Sequence, residues 1–331
     1  MRTRTAFLLA LLALSIGAGL LAGCGGYEAF LVPTRLRLTP GITTAAPGEI
    51  VRYELKGFSL VGIEIPLPTQ SAKWNLYDEP LPSDVKPPAG TRDAAVPGVI
   101  DLNGRFEASP VVQPGHYRSG LIRASTVGTI STLTASVHVI VDGDIDPDAP
   151  KLEVWPRNLR VPVGTEVPFV TLAIDPRNGR VAPAEDDTWS VLSGPGQMAT
   201  SEGVYTVTGV SDSQEVEVLA ISDSGRRAST YMTLDPNPSG PMANIHLVPE
   251  GTLKVALGRS QKFLLYGTDS EGRYVPIPDA EWLVEGGIGE ISEKGDGTVG
   301  FLAQAAGEGT LVASRGDKII RRSIIAVIPG A

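Results

Sequence analysis

Hydrophobicity along this chain takes two forms. Ala6 to Gly23 is one uncharged, largely apolar run behind Arg2 and Arg4, and the remainder is dominated by short stretches that alternate apolar with polar residues. Glu215-Val216-Glu217-Val218 and Ser136-Val137-His138-Val139-Ile140-Val141 carry a period of two. That period puts one face on a core and leaves the other toward water. Ile319 to Ile328 reads as a closing strand of the same kind, and turn dipeptides such as Asn103-Gly104 and Asn178-Gly179 separate the stretches. The pattern predicts an all-β chain of short antiparallel strands joined by tight turns.

The alternating region repeats itself. Leu152-Glu153-Val154-Trp155-Pro156, Val163-Gly164 and Val167 to Leu172 are answered by Ile245-His246-Leu247-Val248-Pro249, Leu257-Gly258 and Lys262 to Tyr266. A polar turn follows in each, Asp175 to Arg180 and Asp269 to Arg273, and then a tryptophan, Trp189 and Trp282. An earlier segment fits more loosely through Leu38-Thr39-Pro40, Gly48, Tyr53 and Trp74. Later strands share a further column at Ile122-Arg123-Ala124-Ser125, Val218 to Ser222 and Leu311-Val312-Ala313-Ser314. Such self-similarity marks one structural unit used three times. About seven strands per unit make a two-sheet sandwich, with Trp74, Trp189 and Trp282 expected between the sheets and the recurrent glycine in a tight turn.

Composition narrows the picture. The 331 residues include 38 glycines and 27 prolines, and the net charge is −9. A chain of this length suits two or three domains. An acidic surface repels phosphate backbones, which argues against a nucleic-acid partner. Cys24 is the single cysteine, so no disulfide braces the cores, and stability rests on buried apolar surface and sheet hydrogen bonds.

Leu21-Ala22-Gly23-Cys24 closes the apolar run with small residues before the cysteine. The run is interrupted by Ser15, Gly17 and Gly19, and a membrane span needs roughly 20 apolar residues. The segment resembles the signal peptide and lipobox of bacterial lipoproteins. That resemblance implies cleavage between Gly23 and Cys24, acylation of Cys24 and attachment to a membrane through the N-terminal lipid, several acyl chains giving a stable anchor. Gly25 stands where many lipoproteins retained in the inner membrane carry aspartate, so the resemblance points to the outer membrane or cell surface.

The repeat itself, with its proline, valine-glycine, apolar strand, polar turn, tryptophan and closing strands, resembles bacterial Ig-like domains of the intimin and invasin type. The likeness implies rigid stalks and adhesion modules rather than catalysis. It divides the chain into a signal peptide (1–23), a lipidated tether (24–33) and a divergent first domain (34–142) with a Pro-rich insertion. An acidic linker (143–150), a second domain (151–235), a Pro-rich linker (236–243) and a third domain (244–331) follow.

Candidate chemistry is sparse. Asp142, Asp144, Asp146 and Asp148 alternate along the first linker and could share a hard cation. An EF-hand is excluded, because Pro147 stands where the loop needs glycine and no helices flank it. A looser structural calcium site and a solvated acidic joint both fit; no other cofactor is expected. His116, His138 and His246 lack a second histidine or cysteine at metal spacing. Ser83-Asp84-Val85-Lys86 matches Ser-x-x-Lys, yet it lies in a proline-rich loop where no helix brings lysine to serine. Trp155 stands outside the core column and is expected to pack between the first two domains. The sequence thus predicts a non-enzymatic envelope protein meeting a protein or glycan partner. An inward-facing scaffold and a carbohydrate-binding module are the alternatives.

Overall fold

The computed structural model describes residues 33–59, 64, 65, 67, 72–127, 132–182, 187–207, 209–293 and 297–328. Among these it is all-β, and six strands recur in each of three Ig-like sandwiches. In the first domain they are β1 (Arg35–Thr39), β2 (Thr43–Ala45), β3 (Glu54–Phe58), β4 (Ala72–Asp78), β5 (His116–Val127) and β6 (Thr132–Asp142). The second contributes β7 (Lys151–Trp155), β8 (Leu159–Pro162), β9 (Val170–Ile174), β10 (Asp187–Ser193), β11 (Gln214–Ser222) and β12 (Arg227–Asp235). The third contributes β13 (Asn244–Val248), β14 (Leu253–Ala256), β15 (Ser260–Thr268), β16 (Glu281–Glu285), β17 (Gly307–Arg315) and β18 (Lys318–Val327).

Each domain is wired alike. The first strand pairs antiparallel with the third, while the second pairs parallel with the sixth in the opposite sheet. The chain changes sheets between them at Pro40, Pro156 and Pro249, all three preceded by cis peptide bonds. The recurrent glycine then turns the chain, with positive φ at Gly48, Gly164 and Gly258. A side chain would meet open space at all three, so the backbone angle alone selects glycine there.

The tryptophan column has a structural partner. Trp74, Trp189 and Trp282 lie across the ladder from Ala124, Ala220 and Ala313, each a fully buried alanine in the fifth strand. A large ring beside a small neighbour fills the sheet without overpacking. Trp189 is buried outright, whereas Trp74 and Trp282 are half-buried and lean on their cores from the edge.

The domains are not beads on a string. Thr43 in β2 pairs with Ala228 in β12, so one sheet runs from the first domain into the second. The short strand Arg180–Val181 pairs with β14 and carries a second sheet from the second domain into the third. The cores merge as well. Leu172 and Val181 join the core of the third domain, and Val248, Leu264, Tyr266 and Tyr274 join that of the second.

Candidate functional site

A dense polar constellation lies where the first domain meets the second, and Arg226 is its centre. This side chain is 2% exposed. Its guanidinium binds the Glu49 carboxylate at 2.6 Å and the carbonyls of Thr44, Asp146 and Ala149 at 3.1–3.3 Å. Lys151 reaches the other Glu49 oxygen at 3.0 Å, and the Ala46 amide donates to the same carboxylate. Burial alone would raise the Glu49 pKa; Arg226, the Ala46 amide and Lys151 outweigh it and hold the carboxyl below its ordinary value. One guanidinium therefore ties the first domain, the acidic joint and the second domain together.

A second contact lies beside it. Arg37 of β1 reaches Glu215 and Thr233 of the second domain and sits over the rings of Phe58 and Tyr231. The Ile42 amide donates to the Ser229 hydroxyl, which in turn donates to the buried Glu217. Burial pushes the Glu217 pKa up, and the bonds from Ser229, Tyr231 and Ile42 only partly offset it.

The Pro-rich insertion belongs to this interface. Val85 is buried in a small cluster with Ile42 and with Leu219 of β11; Leu81, Leu192 and Ile221 pack around it. Arg227 also donates to the Lys86 carbonyl. The Ser-x-x-Lys tetrapeptide thus contributes a packing residue and a backbone acceptor. A cleft of about 400 Å³ remains between the two domains, with Arg52 and Glu54 on one wall and Glu153 and Arg157 on the other. Arg157 pairs with Glu153 at 2.9 Å and covers the Trp155 ring at 4.0 Å.

The four aspartates of the first linker do not converge. Asp142 is buried and accepts the Asp144 amide, and burial raises its pKa. Asp144 accepts the Gly115 amide, Asp146 accepts the Asp148 amide, and Asp148 faces Arg177 at 3.8 Å. The bonds to Asp142 and Asp146 are turn-forming, while Asp144 and Asp148 meet groups distant in sequence. No group of three metal-ligating side chains comes together among the described residues. The second linker is likewise tied down, since Gly240 donates to the buried Asp269, which also accepts the amides of Glu271 and Arg273. Burial would raise the Asp269 pKa, yet these donors hold it below the ordinary carboxylate range.

One expectation needs adjustment. Trp155 packs against the cores of the second and third domains, one joint later than expected, because β7 lies beside β9 on that side. The histidines stay apart: His116 bonds Asp93, His246 stacks on Tyr266, and His138 is half-buried in β6. Gly23 and Cys24 lie outside the described residues. Arg226 was not singled out in the sequence, where its only signal is a pair of arginines in a hairpin turn between apolar strands.

The outward face of the third domain differs from both others. Across β16, β17 and β18, Leu283 aligns with Val312 and Arg321, and Glu281 aligns with Ser314 and Ile319. Leu283 is 56% exposed and Ile319 60% exposed. No strand pairs with the outer edge of β16 among the described residues.

No protein-family model and no curated protein matches this sequence. Several solved structures are similar at low levels. SbsC domains 4-9, from a surface layer protein, show a TM-score of 0.31 and 16% identity, over 89% of this chain and 48% of that one. The N-terminal four Ig domains of Dscam1 isoform 6.9 give 0.29 and 12% over 89% and 78%, respectively. PcdhgB3 EC1-4 gives 0.22 and 16% over 88% and 76%. None of these bears on what the present chain binds.

Proposed function

We propose that this chain is a non-enzymatic lipoprotein of the bacterial cell envelope. Cys24 would carry the lipid, and the three Ig-like domains would form a stiff displayed body that meets a protein or glycan partner. The observation that carries the reading is the sealing of both joints by shared sheets, merged cores and the Arg226 constellation. Such joints suit a body that must hold its outer domain at a set distance from its anchor. They leave the third domain as the part best placed to reach a partner.

Two experiments test this. Metabolic labelling with a radioactive fatty acid should mark the wild-type chain and not Cys24→Ser, and the variant should leave the membrane fraction. Retained label or retained attachment would remove the lipoprotein reading. Protease shaving of sealed cells should release peptides from the third domain. Protection until the envelope is opened would turn the body inward and favour a scaffold role.

A further inference from the structure

We infer that the outer edge of β16 is a docking strand for an extended basic segment of a partner protein. The inference rests on the proposed display role and specifies the partner's chemistry. β16 presents Glu281, Leu283 and Glu285 on one face, all exposed. An edge strand offers unpaired backbone donors and acceptors, and an incoming strand satisfies them by extending the sheet.

Charge alone would make this an ordinary guarded edge, since charged residues blunt pairing. The leucine is what a guard does not need. At the aligned ladder position the first domain carries Asn75 and the second carries Ser190. Only the third domain places a large apolar side chain there, and it stands exposed next to Val312, with Ile319 on the same face.

The flanking charges select the partner. Glu281 holds no ion pair among the described residues, while Glu285 is met at 2.8 Å by Arg321 from the same face. The edge therefore has an open carboxylate on one side of the leucine and a half-satisfied one on the other. Directly opposite cross-strand pairs favour unlike charges and apolar contacts, and like charges oppose pairing. An antiparallel segment with basic, apolar and basic residues at every second position matches this row. A second copy of β16 does not: antiparallel pairing centred on Leu283 would set Glu281 against Glu285.

The test uses the full-length chain in detergent micelles and the fluorescent peptide acetyl-Thr-Lys-Thr-Val-Thr-Lys-Thr-amide, read by anisotropy. Saturable binding is expected, with a preference of about tenfold or more over the same peptide carrying Glu for Lys. Leu283→Ser, which copies the second domain, should weaken binding about tenfold without changing the melting temperature. Glu281→Lys should reverse the preference between the two peptides. Absence of saturable binding, binding indifferent to both substitutions, or self-association through β16 that excludes the peptide would each overturn the inference. None of these outcomes depends on where the protein resides, so failure here leaves the lipid-labelling and shaving results to judge the display role separately.

Discussion

The second and third domains turn the same three strands outward and meet opposite fates. On the second domain, Leu219 is 3% exposed, because Ile42 and the insertion residue Val85 cover it. At the aligned position of the third domain stands Val312, itself 8% exposed, and the difference lies in its uncovered neighbours Leu283 and Ile319. One face has been converted into an internal joint and the other is left for the solvent. The difference arises from the first domain, whose insertion and β2 reach across to its neighbour and go no further. A single sandwich can thus be specialised by what docks on it, with its own wiring unchanged.

The comparison breaks most severely at Arg226. Replacing it with methionine should leave the buried Glu49 with only Lys151 and the Ala46 amide for partners and cost about 3–5 kcal/mol in urea denaturation. Adding Glu49→Met should restore much of the loss; a double variant whose loss is the sum of the two single losses would mean that the pair is not coupled. The tryptophans should separate the two domains next. Trp189→Ala should cost about 3 kcal/mol or more, and Trp282→Ala distinctly less, because its ring is only half-buried.

Smaller effects sharpen the picture. Val85→Ala should cost about 1–2 kcal/mol, while Leu283→Ser on the open face should fall within about 0.5 kcal/mol of wild type. Equal losses would show that the two faces are covered alike. Glu217→Gln should expose the pH dependence of the covered face. Burial raises the Glu217 pKa, so its contribution to stability is full below the unfolded value near 4.5 and is lost as pH rises through the folded one. The glutamine variant should accordingly gain about 1 kcal/mol on wild type at neutral pH and nothing in acid. A constant difference across pH would mean that Glu217 titrates alike in the folded and unfolded chains.

The all-β sandwich architecture was legible in the sequence because its signals are local. A period of two defines a strand wherever it falls, and the turn at Gly48, Gly164 and Gly258 needs only its own backbone angle. The joints were opaque for the opposite reason. Arg226 and Glu49 lie 177 residues apart, and neither has a neighbour in sequence that announces the pair. The insertion resembled a free loop because its prolines describe stiffness and say nothing of a destination. Asp142 to Asp148 likewise showed spacing, whereas the use of the Asp144 and Asp148 carboxylates depends on Gly115 and Arg177 arriving from elsewhere.

The pairing of Thr43 with Ala228 also sets a clock. Synthesis delivers the first domain long before the strand that completes its sheet edge has emerged. Until then Ile42 and Val85 lack the cover of Leu219, and contacts of such long sequence separation form late. Until the second domain has been made, the first therefore presents an unfinished edge that other strands could pair with.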